Sequence, residues 1–328
     1  MSYFITGGTG FLGCYVVRDL LAAGQRVTAF DLHPDPKTLE LVVGPGTSRE
    51  VSVVRGDITD RAQLFAAVEQ ERPEVIVHLA SPLPPEAERE AAATLRAMTE
   101  GHVNVLDAAR TFQARKVVWA SATSVFGRPE HHGGIEAPVP NDAPHYPETL
   151  YGICKSANER LSALYWDRFS VDSLGLRFCQ VYGAGKQRGR PFGYHLFEKA
   201  LQGEPFRVPH GDDVVNWQYV DDVAAVMVKA CRVPPTRTRV YNTSGEVLSM
   251  CETVDLLRAL LPQARLELEP GRMGLAWRYD ISRLEAEVGV GPPTPAADGF
   301  RRTLDLMRRW RQEEGGDEGT EREKGREG

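Results

Sequence analysis

The chain predicts an α/β fold: a doubly wound parallel sheet followed by a smaller C-terminal lobe. Short β-branched runs alternate with helically spaced segments up to about Gly183. The runs show little polar alternation, as expected of strands covered on both faces. The first of them ends in a glycine turn, Thr6-Gly7-Gly8-Thr9-Gly10-Phe11-Leu12-Gly13. With 328 residues, 42% hydrophobic and 26% charged, the composition is that of an average globular protein and excludes a disordered, collagen-like or membrane-embedded chain. The 39 basic and 45 acidic residues leave a net charge of −6. No basic stripe forms, so nucleic acid is not an expected partner.

Residues 4–6, 26–30, 51–54, 75–79, 116–120 and 173–178 read as strands of this sheet. The first domain is therefore expected over residues 1–183, with segments near 216–243 returning to it, and a substrate-binding lobe over 184–310. Residues 311–328 hold almost nothing apolar and are expected to be a disordered charged tail. Five cysteines, odd in number and without a C-x-x-C pair, indicate neither a disulfide framework nor a zinc ribbon. A cytoplasmic protein without a metal is expected; the adjacent His131-His132 point in different directions and lack further ligands. No apolar run approaches the roughly 18 residues of a membrane span, and residues 1–8 leave no room for a leader.

The glycine turn sits between a strand and a helix starting near Phe11. Gly7, Gly10 and Gly13 permit a tight turn, close backbone approach to a pyrophosphate, and close helix–strand packing, while the helix N-terminus, with Phe11 and Leu12, favours the negative charge. Asp31 ends the second strand 21 residues after Gly10, where a carboxylate holds ribose hydroxyls and repels a 2′-phosphate, which favours NAD over NADP. Asp57 and Ile58 close the third strand and are candidates to flank the adenine ring, though Asp57 also suits a helix cap near Asp60. Leu79, Ala80 and Ser81 end the fourth strand at the same edge. His78 reads as a hydrogen-bonded core histidine.

Tyr151 and Lys155 stand four residues apart, on one face of a helix. A tyrosine near pKa 10 is a poor base at neutral pH, but a neighbouring ammonium stabilises its phenolate. It can then take the proton of a substrate hydroxyl while hydride leaves for a nicotinamide.

Taken together, Thr6 to Gly13, Asp31, Asp57-Ile58, His78-Leu79-Ala80, Ser121 to Gly127, Tyr151 to Lys155, Leu176-Arg177-Phe178, Val181-Tyr182-Gly183, Tyr219-Val220-Asp221-Asp222-Val223-Ala224, Tyr241-Asn242 and Tyr279-Asp280-Ile281-Ser282 resemble an extended short-chain dehydrogenase/reductase of the NAD-dependent epimerase/dehydratase type. The resemblance spans residues 1 to about 310 and implies a Rossmann-type sheet, a Tyr/Lys acid–base pair and a homodimer paired through helices near 92–112 and 151–169. In the second of these helices, Leu161, Leu164, Tyr165 and Phe169 show apolar spacing that fits a core face or a subunit contact.

The sequence departs from the family at several positions. The family's substrate-orienting serine or threonine falls on Ala122, leaving Ser121, Thr123 and Ser124 as neighbouring hydroxyls to replace it, or merely to cap and turn the chain. Met98 replaces an asparagine. The family's phosphate-clamping arginine falls on Val215, which removes a bidentate charge-assisted contact; Arg188, Arg190, Arg207 and Arg272 are the candidates to compensate. Gln180 is expected to face the substrate together with Ser81, and Cys179 to pack near the nicotinamide rather than act as a nucleophile. The proline-rich residues 128–149 resemble the family's variable substrate loop. The expected function is hydride transfer at a secondary alcohol of a sugar or polyol-like substrate. The alternatives are a nucleotide-sugar 4-epimerase and, because of Ala122, a catalytically weak NAD-binding sensor or scaffold.

Overall fold

Seven parallel strands form the main sheet in a computed structural model that describes residues 1–44, 46–189 and 192–324, with side chains to residue 313. Its strands are β1 (Ser2–Thr6), β2 (Arg26–Asp31), β3 (Ser52–Arg55), β4 (Val75–His78), β5 (Lys116–Ala122), β6 (Ser173–Phe178) and, after the short strands β7 (Gln180–Tyr182), β8 (Pro205–Val208) and β9 (Val214–Tyr219), β10 (Val240–Asn242). The order is β10-β6-β5-β4-β1-β2-β3. The order reverses between β1 and β4, which opens a crevice at the carboxyl ends of these strands.

Side-chain alternation along β1 shows why the strand reads as continuously apolar. Tyr3 and Ile5 enter one buried cluster and Phe4 enters another on the opposite face. On the first face lie α1 (Phe11–Ala22), α2 (Pro36–Val43) and, from further along the chain, a helix at Val220–Ala230. The second face is covered by α3 (Arg61–Glu71), α5 (Gly101–Thr111) and α6 (Leu150–Phe169), and the short α4 (Ala91–Leu95) lies against α6. One π turn, Arg96–Glu100, joins α4 to α5.

The second lobe is built from α7 (Phe192–Gln202), α9 (Met250–Leu260), α10 (Ser282–Glu287), α11 (Ala296–Lys324) and two small sheets; α8 (Val220–Ala230) leads back to the first face. One small sheet orders β7 and β9 with β11 (Glu246–Ser249), and the other pairs β8 with β12 (Arg265–Leu268). Phe300 packs edge to face on Phe197, Tyr182 and Trp217, with ring centroids 4.9, 5.0 and 5.7 Å away, while Tyr182 and Phe197 stack on each other. This knot belongs to the same buried cluster as Ile5 and Val17 of the main sheet and α1. The two lobes therefore share one core.

Two expectations are corrected. Of the returning segments, α8 and β10 do rejoin the main sheet, but residues 216–219 belong to β9, which pairs with β7 and β11 instead. The reason is that β7 follows β6 at once and peels away from the sheet, carrying its partner with it. The tail, expected to be disordered from residue 311, continues as helix through Lys324. Phe300, Leu304 and Trp310 anchor the first turns of α11, so propagation adds hydrogen bonds without a new nucleus. Residues 325–328 of that tail lie outside the described residues. Among the described residues no helix is long and apolar enough to cross a membrane.

Candidate active site

The glycine turn joins β1 to α1 at the centre of the crevice. Gly7 has φ +71°, and a Cβ placed there would lie 2.8 Å from the Ala80 nitrogen at the end of β4; the backbone crosses there only without a side chain. Gly10 donates to the Gly7 carbonyl at 3.1 Å and occupies the N-cap of α1 without offering a side-chain cap. The first N–H groups of α1, those of Phe11 and Leu12 among them, thus have no side-chain cap, and such a helix start suits an anion. A Cβ at Gly13 would collide with the Gly7 carbonyl oxygen, which is the close helix–strand packing the spacing predicts.

Asp31 ends β2 beside the turn. Its Oδ2 accepts from Thr9 Oγ1 at 2.9 Å and from Thr9 N at 3.3 Å, and its Oδ1 from His33 N at 3.2 Å. The carboxylate is half-buried and held against the turn. Asp57 accepts from Thr59 N at 2.8 Å, while Asp60 caps α3 by accepting from Gln63 N at 3.1 Å, so the capping role considered for Asp57 falls to Asp60. Ile58 is buried beneath Gly101. Leu79 N and Ala80 N donate to the Thr6 carbonyl and hydroxyl, and Ser81 Oγ donates to the Pro82 carbonyl.

Tyr151 sits in the first turn of α6. That turn is fixed twice, by Thr149 accepting from Gly152 N at 3.0 Å and by the Glu88 carboxylate accepting from Leu150 N and Tyr151 N at 2.9 and 3.0 Å. Lys155 is buried, its Nζ donates to the Ala120 carbonyl at 2.8 Å, and it lies 5.3 Å from the centroid of the Tyr151 ring. Burial lowers the lysine to about 8. Beneath it His78 is buried with Nδ1 2.7 Å from Thr6 Oγ1; burial and the neighbouring Lys155 push it down to about 3, so it stays neutral. Met98, in the π turn, packs with Cys154 and Tyr151 and accepts from Asn158 Nδ2 through its carbonyl at 2.8 Å.

Of the three hydroxyls around Ala122, two are committed elsewhere. Ser121 donates to Glu159 at 2.6 Å and Thr123 to the Phe178 carbonyl at 3.3 Å. Ser124 Oγ is buried without a partner among the described residues, and its backbone carbonyl packs against Gly152, next to Tyr151. Gln180 is also buried, with Nε2 unpartnered and pressed against Gly193 of α7. Cys179 N donates to Gln218 Oε1 at 2.7 Å, and burial pushes its thiol far up, as befits a packing residue. Val215 is fully buried in the shared core. Arg207 is exposed and lies 3.8 Å from Glu269, Arg188 and Arg272 are exposed, and Arg190 lies outside the described residues.

Sequence reasoning missed a buried charged network behind the strand ends. Arg177 donates to both oxygens of Glu159, at 2.9 and 2.7 Å, and to the Asn141 carbonyl and Asn242 Oδ1. An arginine inside the apolar run of β6 signals a buried partner, but which acid supplies it, 18 residues away on α6, needed the fold. The Glu88 clamp on α6 carried no signal at all.

The fold and this edge of strand-end residues define a dinucleotide-dependent α/β enzyme. The chain belongs to the NAD dependent epimerase/dehydratase family, which matches residues 3–243; it is thus an NAD-dependent enzyme of the extended short-chain dehydrogenase/reductase type, and NAD is the family's cofactor, as the sequence predicts. The chain is 28% identical to a probable UDP-glucuronate 4-epimerase of Rhizobium meliloti, over 93% of this chain and 96% of the relative. It is 30% identical to a dTDP-glucose 4,6-dehydratase of Streptomyces griseus, over 92% of each. A solved UDP-glucose 4-epimerase of Thermus thermophilus in complex with NAD superposes with a TM-score of 0.77 at 26% identity, covering 94% of this chain and 99% of that one. The uncapped start of α1, the close approach at Gly7 and the half-buried Asp31 fit a bound dinucleotide.

Proposed function

We propose that the protein is a cytoplasmic enzyme transferring hydride at a secondary alcohol of a sugar or sugar-like substrate, with Tyr151 as acid/base and Lys155 as its electrostatic partner. The observation that carries this reading is the burial of Lys155 within 5.3 Å of the Tyr151 ring, at the strand edge that holds the glycine turn. In a water-poor site an ammonium this close favours the phenolate strongly, because the attraction is little screened. Bound NAD supplies the hydride acceptor. Lys155, anchored on the Ala120 carbonyl, stabilises the Tyr151 phenolate, which takes the hydroxyl proton and becomes neutral. Ser124 is the hydroxyl left to orient the substrate in place of the family residue at Ala122, since Ser121 and Thr123 already donate elsewhere. Gln180 and Ser81 face the substrate in this reading, and two copies pair through the α4–α5 stretch, residues 92–112, and α6.

A second reading, nucleotide-sugar 4-epimerisation, is supported by the relative named as a UDP-glucuronate 4-epimerase. The apolar Val215 speaks for a substrate bound without the usual arginine clamp. Tyr151→Phe is expected to lower turnover by about 10²- to 10⁴-fold while NAD affinity stays unchanged in fluorescence titration; undiminished turnover rules the assignment out. Native mass spectrometry of the purified protein separates the two readings. Retained NAD, one per chain, marks an epimerase cycle, and reversible binding marks a dehydrogenase.

A further inference from the structure

Away from the glycine turn, on the flank of α6, a cavity of about 650 Å³ opens between that helix, the segment 237–240 entering β10, and α10. Five arginines line it, against two carboxylates. Both carboxylates are spoken for. Glu287 accepts from Thr238 Oγ1 at 2.6 Å and Tyr241 OH at 3.0 Å, and Glu159 accepts from Ser121 and Arg177. Arg177 is fully committed to Glu159, Asn141 and Asn242, but the other four guanidiniums are less well served. Arg160 and Arg237 make no hydrogen bond or ion pair among the described residues. Arg239 reaches Asp172 at 2.7 Å and stacks on Trp166, yet its Nε is unpartnered although the side chain is only 10% exposed. Arg283 meets Asp142 in a solvent-exposed pair, which an incoming ligand can displace at little cost.

From this we infer a second binding site, for a phosphate-bearing small molecule. Planar guanidinium forks match phosphate oxygens two at a time, and a bound polyanion relieves the mutual repulsion of the arginines. The cavity falls within the usual range for small-molecule pockets, roughly 300 to 1,000 Å³, and exceeds what inorganic phosphate needs. A sugar phosphate and a nucleotide both fit that description.

The test is calorimetric titration of the NAD-saturated full-length protein with inorganic pyrophosphate, so that the glycine turn is already filled. Binding is expected, with affinity falling roughly tenfold or more in the double variant R160Q/R237Q while NAD affinity and the melting temperature stay unchanged. Both residues are exposed and unpartnered, so the variant should fold. Absence of binding, or equal affinity in wild type and variant, overturns the inference. Repeating the titration with ADP and with a hexose 6-phosphate separates the two sources: tighter binding than pyrophosphate by one of them identifies the group attached to the phosphate.

Discussion

Lys155 is where sequence, burial and chemistry meet in one side chain. Its ammonium is lowered to about 8 by burial, so between about 8 and the ordinary lysine range near 10.4 the unfolded chain holds a proton that the folded one has lost. Stability therefore rises with pH across that window, and below it the buried charge is a standing cost. Lys155→Met is expected to remove this rise: the difference in denaturant midpoint between wild type and variant, measured without cofactor at pH 7.5 and 10, should change with pH. A constant difference contradicts the assignment. The hydroxyls around Ala122 show the limit of reading residues singly. Ser121, Thr123 and Ser124 are chemically alike in sequence; only their partners, Glu159 and the Phe178 carbonyl, single out the third.

At the scale of elements, the β1–α1 junction was legible because its constraints are local. A Cβ at Gly13 would collide with the Gly7 carbonyl oxygen, whereas one at Gly10 would stand 3.2 Å from it, a tight contact that a shift of a few tenths of an ångström relieves. Gly13→Ala should therefore destabilise the fold, by about 1–3 kcal/mol for an overpacked contact, whereas Gly10→Ala should melt nearer the wild-type temperature yet bind NAD more weakly if, as we propose, the pyrophosphate lies against this turn. Thermal melts with and without NAD check both; equal melts for the two variants would refute the distinction. The start of α6 is different. Thr149 announces a cap, but the second clamp comes from Glu88, 63 residues before Tyr151, and depends on how α4 and its preceding turn lie against α6. Likewise β9 has the pattern of a main-sheet strand, and its partners β7 and β11 decide otherwise.

At the scale of the whole molecule, four large apolar side chains stand exposed on α4 and α6, while Met1, Leu32, Val53 and Tyr146 are exposed singly elsewhere among the described residues. Leu95 of α4 is 46% exposed, and on α6 Ile153 is 50% and Leu164 and Phe169 each 39% exposed, whereas Tyr165, grouped with them by spacing, is buried and donates to Asp107 at 2.8 Å. Such a patch, on the helices proposed to pair, suits a second copy of the chain. The double variant I153E/L164E is expected to halve the mass seen by light scattering, with a cofactor site that still binds NAD; an unchanged mass removes the proposed pairing.

The sequence by itself determined the parallel sheet, the glycine turn, Asp31 and the Tyr151–Lys155 pair, because each rests on short-range geometry: strand alternation, one turn of backbone, one turn of helix. It also marked Ala122 and Val215 as departures. Only the tertiary structure decided which hydroxyl remains unpartnered, that Glu159 neutralises Arg177, that β9 leaves the main sheet, and that unsatisfied arginines gather beside α6. These depend on contacts between residues far apart in the chain, where burial makes every unpaired polar group costly and so fixes which partners must meet.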